Sequence, residues 1–245
     1  MTGLSLRDRI SPNHDLRGDP ARVDMLVLHY TGMQNAAAAL DRLCDPAARV
    51  SSHYVVEEDG AVWRLVPESR RAFHAGVSCW AGERDLNFVS IGVEIVNPGH
   101  EWGYRSFPAP QMAAVERLCH DILSRHPIPA HRVVGHSDIA PDRKTDPGEL
   151  FDWRRLARGG IGLWPEPTGS CEESEVDHAR AAADLAAIGY CTISGSENVV
   201  VAAFQRRFRP ARVDGIVDPE TAARLAAVRA AFARSRGDSH RRSGV

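Results

Sequence analysis

Along the first 164 residues, short apolar runs of strand length alternate with stretches of helical spacing. Met25-Leu-Val-Leu28 is an unbroken apolar run ending at His29, the pattern of a strand covered on both faces. Between His53 and Val66 the Asp59-Gly60 pair separates two β-rich stretches, which predicts a hairpin because such a pair suits the positive φ of a tight turn. Ile91 to Val96 and Arg132 to Val134 are two further strand candidates. Behind Pro110, the residues Met112, Val115, Leu118, Cys119, Ile122 and Leu123 recur at helical spacing and predict a helix from Pro110 to Arg125. Asn35 to Leu43 carries a weaker helical pattern. Because strands and helices interleave, residues 1–164 are expected to form an α/β domain, a mixed central β-sheet flanked by helices.

The pattern changes at Pro165. Residues 165–177 mix Pro, Gly, Ser and acid with too few apolar positions to pack, and are expected to be a linker. Beyond them only helical spacing remains. Ala179 to Ile188 stops at Gly189, and Ser194-Gly-Ser-Glu197 reads as a capping box opening a helix with Val200, Ala203, Phe204 and Phe208 on its inner side. Asp218-Pro219 starts a third helix, with Asp as the cap and Pro in the first turn. Residues 178–235 therefore predict a small C-terminal three-helix domain, and residues 236–245 a disordered tail.

Charge and composition narrow the function. A formal net charge of −2, from 30 basic and 32 acidic side chains, makes no global field to gather nucleic acid or an anionic membrane, so specificity must come from a local site. No stretch approaches the roughly 20 apolar residues of a membrane span. Met1 to Pro20 carry Arg7, Asp8, Arg9, Asp15, Arg17 and Asp19 where a secretory signal would be apolar. These readings predict a cytoplasmic monomer without an integral membrane segment. Cys44, Cys79, Cys119, Cys171 and Cys191 show no C-x-x-C spacing and are expected to be reduced thiols.

Eleven histidines invite a metal reading, although a lone histidine is more often a surface or hydrogen-bonded core residue. His29 and His136 stand out because each follows an apolar strand run, and strand ends are rigid platforms for a site. After His136 comes a Pro- and Gly-containing segment to Gly148, expected to be a loop. Two neutral imidazoles and one carboxylate would hold Zn2+ with a fourth position open to water. Spacing leaves the carboxylate open among Asp138, Asp142 and Asp146. His136-Ser-Asp138 also mimics the His-x-Asp of an iron oxygenase, but such sites draw a second histidine from later in the chain, where only His178 and His240 follow.

Five strings carry a resemblance: Leu28-His-Tyr-Thr-Gly32, Val50-Ser-Ser-His-Tyr54, Phe73-His-Ala-Gly76, Ser90-Ile-Gly-Val-Glu94, and Gly135-His-Ser-Asp-Ile-Ala-Pro-Asp-Arg-Lys-Thr-Asp-Pro-Gly148. In that order they resemble the type 2 N-acetylmuramoyl-L-alanine amidases. That group includes the cell-wall recycling amidases and their outer-membrane-anchored relatives, and is similar in fold to phage T7 lysozyme and the peptidoglycan recognition proteins. The resemblance covers about residues 22–164. It implies that His29, His136 and Asp146 bind zinc, that Glu94 is the general base, and that Lys144 stabilises the oxyanion. It also places His74, Tyr30 and Asn87 in the substrate pocket and makes His53 a buried structural histidine. Asp138 and Asp142 are left with structural roles. Strand periodicity agrees for Glu94: Ile91, Val93 and Ile95 share one face, and Gly92 and Glu94 the other, where the small glycine leaves room for water or substrate.

What the resemblance implies is zinc-dependent cleavage of the amide between N-acetylmuramic acid, ordinary or 1,6-anhydro, and L-alanine, in peptidoglycan or muropeptide fragments. The three-helix segment looks like a peptidoglycan-binding domain, with a bundle that merely packs on the first domain as the plain alternative. In it, Arg206, Arg207 and Arg209 either contact stem-peptide carboxylates or form a solvated basic face. A wall-binding domain also suits a periplasmic or outer-membrane-associated protein. The alternative function is a recognition protein that binds peptidoglycan without cutting it.

Overall fold

The computed structural model describes residues 5–18, 22–167, 176–191 and 195–242. In chain order the strands are β1 (Leu6–Asp8), β2 (His14–Leu16), β3 (Met25–Tyr30), β4 (Tyr54–Val56), β5 (Val62–Arg64), β6 (Arg70–Ala72), β7 (Cys79–Trp80), β8 (Glu83–Arg84), β9 (Ser90–Ile95) and β10 (Val133–Gly135). The helices are α1 (Ala36–Cys44), α2 (Gly99–Trp102), α3 (Ala109–Arg125), α4 (His136–Ile139), α5 (Trp153–Arg158), α6 (His178–Ile188), α7 (Glu197–Phe208) and α8 (Pro219–Arg242).

Six strands make one mixed sheet in the order β1-β5-β4-β9-β3-β10. The β4–β5 pair is antiparallel and joined through the expected Asp59-Gly60 turn; the other pairs are parallel. The apolar run places β3 between β9 and β10, where Met25 to His29 are all buried. Alternation then divides the core. Leu26, Leu28, Ile91, Val93 and Ile95 meet Val115, Leu118 and Ile122 of α3 on one face. On the other, Met25, Val27 and Val134 join Leu185 of α6, Phe204 and Phe208 of α7, and Leu225 and Phe232 of α8. The three C-terminal helices thus share a hydrophobic core with the sheet. Nearer β4 that same face is covered by Leu40 and Leu43 of α1, packed with Val55.

Several sequence expectations change in the folded chain. Residues 236–242, expected to be a frayed tail, continue α8. Helix α7 has Ser196 at its N-cap, whereas the expected capping box began at Ser194, outside the described residues. Residues 168–175 of the expected linker also lie outside them. The segment after His136 opens as the short helix α4 before it becomes a loop. No strand was expected before Met25, yet β1 extends the main sheet and β2 pairs with β6. Their side chains are too polar to show strand periodicity. Cys79 and Cys191, read as thiols, form a disulfide with Cα atoms 6.0 Å apart and a sequence separation of 112. Their pairing depends on tertiary proximity, which spacing in the chain does not reveal. Cys44 and Cys119 are free, and Cys171 lies outside the described residues.

The N-terminal arm ends in a buried arginine. Arg17 donates to the carbonyls of Glu68, Asn87, Phe88 and Ser90, and its Nη2 stands 2.8 Å from His53 Nε2. His53 is fully buried, and its Nδ1 accepts the Gly92 amide at 3.0 Å. Burial, reinforced by the Arg17 charge, holds the ring down at about 3 against an ordinary 6.5. The ring is therefore neutral in the fold, while the unfolded chain protonates it as pH falls below about 6.5. A depressed folded value means the contribution is complete above that pH and is lost on acidification toward 3. Urea unfolding at pH 5 should show about 2 kcal/mol less stability from this residue than at pH 7. A His53→Asn variant should flatten that dependence; an unchanged slope would show that His53 is not the source.

Candidate metal centre

Strand register gathers the site. His29 and Glu94 sit directly opposite each other on β3 and β9, on the face away from α3. Strand β10 lies on the other side of β3 and runs straight into α4, whose first residue is His136. The chain then loops back so that the Ser137 amide donates to the Asp146 carbonyl at 2.8 Å. His29, His136 and Asp146 are thereby brought together, all buried, and of the three candidate carboxylates it is Asp146 that joins the two histidines.

Hydrogen-bond bookkeeping shows what these groups present to one another. The Ser90 hydroxyl donates to the Leu86 carbonyl at 2.6 Å, so Ser90 Oγ is an acceptor for His74 Nε2–H at 3.2 Å. His74 Nδ1 must then accept from His29 Nε2–H, 3.0 Å away. His136 Nε2–H donates to the Ala75 carbonyl at 3.1 Å. A neutral imidazole has one ring proton, and in both ligand candidates it is already used on the far side. Burial and the neighbouring His136 hold His29 down at about 4, so it is neutral near pH 7. Burial would raise Asp146, yet the adjoining His136 and His29 keep it well below the usual carboxylate range. With both rings neutral, as metal binding requires, two Nδ1 lone pairs and one carboxylate oxygen lie 2.9, 3.0 and 3.1 Å from one another. A cation is the group that fits this arrangement, and two imidazoles with one carboxylate suit a divalent transition metal.

Beside this cluster, Glu94 Oε2 is buried and accepts no hydrogen bond among the described residues. Burial pushes Glu94 well above the usual carboxylate range, the Asp146 charge pushes the same way, and Lys144 opposes both. Glu94, Lys144, His74, His136, Asp146 and Tyr30 line one cavity of about 410 Å³. Tyr30 Oη lies 2.9 Å from both His100 Nδ1 and Thr145 Oγ1, which anchors the ring at the cavity wall.

Two residues expected in the substrate pocket have other work. Asn87 is not among the cavity's lining; its Oδ1 accepts from the His74 and Ala75 amides and fixes the turn whose residues contact His29 and His136. His74 does border the cavity, but both ring nitrogens are engaged in the proton chain behind His29. Its ring also fills the space over Gly92 that the sequence suggested for water or substrate. His53 is buried, in the structural place expected of it.

The sequence reading missed the residues that hold Asp138. This carboxylate is fully buried, with Oδ2 accepting from the Gly135 amide at 2.8 Å and from Arg207 Nη1 at 2.7 Å, and Oδ1 accepting from Tyr190 Oη at 2.6 Å. Arg207 and Arg209, considered as peptide contacts or a solvated face, are both buried; Arg209 pairs with Asp218 and Glu220. Helical spacing showed Phe204 and Phe208 facing inward but could not show that an arginine between them was also inside. Arg206 lies 3.6 Å from Glu149.

Comparison with known proteins gives a consistent set of likenesses. Residues 19–149 match the family model described as N-acetylmuramoyl-L-alanine amidase. The chain is 38% identical over 225 residues to the N-acetylmuramoyl-L-alanine amidase AmiD of Escherichia coli strain K12, covering 82% of this chain and 80% of that protein. It is 37% identical over 163 residues to the 1,6-anhydro-N-acetylmuramyl-L-alanine amidase AmpD of the same strain, covering 60% of this chain and 87% of that one. Among solved structures, the E. coli AmiD complex with anhydro-N-acetylmuramic acid-L-Ala-D-γ-Glu-L-Lys superposes with a TM-score of 0.77 at 36% identity, covering 86% of this chain and 91% of the other. AmpDh3 from Pseudomonas aeruginosa gives 0.79 at 32% identity, covering 92% and 99%.

A Cβ at residue 92 would collide with the His74 ring. Gly92→Ala should therefore displace His74, cost about 1–3 kcal/mol in urea unfolding, and lower the metal content of the purified protein. Unchanged stability and metal content would show that the ring does not depend on that close approach.

Proposed function

The chain belongs to the type 2 N-acetylmuramoyl-L-alanine amidases and cleaves the amide joining N-acetylmuramic acid to L-alanine; from that premise we propose that His29, His136 and Asp146 hold a zinc ion for this reaction. The observation that carries the proposal is the meeting of two imidazole nitrogens and one carboxylate oxygen within 3.1 Å of one another, on three buried residues. Bound there, zinc would supply Lewis acidity, polarising the amide carbonyl and making water acidic enough to ionise near neutral pH.

The remaining roles fall to the chain's own side chains. Glu94, opposite His29 and with no partner on Oε2 among the described residues, takes the proton of the attacking water and returns it to the departing alanine nitrogen. A raised affinity for protons suits a carboxylate that must hold one between the two steps. Lys144 faces the same cavity and balances the negative charge that develops on the carbonyl oxygen. Tyr30 forms part of the wall against which substrate rests. A protein that only recognised peptidoglycan would have no need of a carboxylate oxygen held without a hydrogen-bond partner, among the described residues, beside His29, His136 and Asp146.

Substrates of two kinds fit the reading: muropeptide fragments carrying ordinary or 1,6-anhydro muramic acid, and the same linkage in intact wall. The bound ligand of the AmiD complex is an anhydro-muramyl peptide, which supports the fragment. For location, no helix among the described residues is long and apolar enough to cross a membrane. The Cys79–Cys191 disulfide supports an oxidising compartment such as the periplasm over the cytoplasm suggested by the N-terminal composition.

Incubation with purified muropeptides, read by mass spectrometry, should release free stem peptide. Glu94→Gln should retain zinc while losing at least about 100-fold in kcat; turnover at the native rate would remove Glu94 from its role. Lys144→Met should lose about 100-fold in kcat, and little or no loss would show that its charge does not act on the reacting oxygen. For the compartment, alkylation of the protein in its own cells before lysis should leave Cys79 and Cys191 unlabelled, and labelling of both would return it to a reducing environment.

A further inference from the structure

The helix that begins with the metal-ligand candidate His136 is four residues long and cannot hold its own shape through backbone bonds alone. Its first turn is closed by a side chain, with the Gly135 amide donating to Asp138 Oδ2 at 2.8 Å. Asp138 is in turn held by two groups from the C-terminal helical segment, Tyr190 Oη at 2.6 Å on Oδ1 and Arg207 Nη1 at 2.7 Å on Oδ2. Arg207 reaches further back as well, since its Nη2 donates to the Val133 carbonyl at 3.0 Å at the start of β10. The guanidinium lies over the Trp153 ring, 4.1 Å from its centroid, which fixes the plane of the fork. One arginine thus grips both ends of the strand-to-helix junction that carries His136.

We propose that Arg207 and Tyr190 are positioning residues for the amidase reaction: acting through Asp138, they set where His136 presents its Nδ1 to the metal. This rests on the zinc reading given above. Both side chains are buried, and neither lines the catalytic cavity. Their influence passes through the backbone of residues 133–138. Without Arg207, a fully buried carboxylate two residues from the ligand would lose its counter-charge and turn toward another partner, carrying the short helix with it. Without the Tyr190 hydroxyl, Oδ1 would lose its donor while the ring could stay packed against Trp80 and Phe204.

The full-length wild type, Tyr190→Phe and Arg207→Met should be compared by zinc retention against a chelator, by the absorption spectrum of the cobalt(II)-substituted protein, and by kcat and KM on a muropeptide. Both variants are expected to release zinc roughly tenfold more readily and to lose kcat with little change in KM, and their cobalt spectra should shift. A merely structural role would lower Tm and leave the cobalt spectrum where it is. If Arg207→Met fails to fold, Tyr190→Phe decides alone, and zinc retention and a cobalt spectrum equal to wild type would overturn the proposal. A wild type that binds no zinc would instead sink the metal reading itself.

Discussion

A carboxylate and two imidazole lone pairs held within 3.1 Å of one another repel unless positive charge lies among them. Most of what surrounds the cluster enforces that condition by keeping protons elsewhere. The Leu86 carbonyl accepts from Ser90, which obliges Ser90 to accept from His74 and His74 to accept from His29. The Ala75 carbonyl does the same for His136 in one step. Two backbone oxygens, each distant in sequence from the ring it orients, therefore determine which nitrogen of each ring is free to bind a metal.

The sheet turns this local condition into a whole site. Parallel pairing of β3 with β9 brings His29 level with Glu94, and pairing with β10 delivers His136 from the far side. Because side chains alternate, the face that holds these polar groups is also the face that must be covered by something other than α3. Helix α1 covers one end, and the C-terminal helices cover the other through Met25, Val27 and Val134. Helices that could have formed an independent appendage are part of the wall of the catalytic fold.

The sequence disclosed whatever was governed by local pattern. The apolar run of β3, the Asp-Gly turn between β4 and β5 and the amphipathic spacing of α3 are each visible within about a dozen residues, and each formed where expected. The candidate pair His29 and His136 was legible because His29 ends the apolar run of β3 and His136 follows β10, whereas preferring Asp146 over Asp138 needed the family likeness. What stayed hidden depends on contacts across the chain. Arg207 looks like any basic helix residue until Asp138 is placed beside it, and Asn87 looks like a pocket residue until its carbonyl is found on the amides of His74 and Ala75. The N-terminal arm gave no periodic signal, since short polar strands such as β1 and β2 are held by their neighbours and not by a buried stripe.

The bond between Cys79 and Cys191 encloses Glu94, His136, Lys144 and Asp146 in a single covalent ring, along with the stretch from 165 to 177. A protease that nicks the chain anywhere within that ring leaves both pieces tethered through sulfur. Severing the connection ahead of α6 would not free the last three helices to drift away, so their covalent attachment to the catalytic fold survives a cut backbone for as long as the sulfurs remain joined.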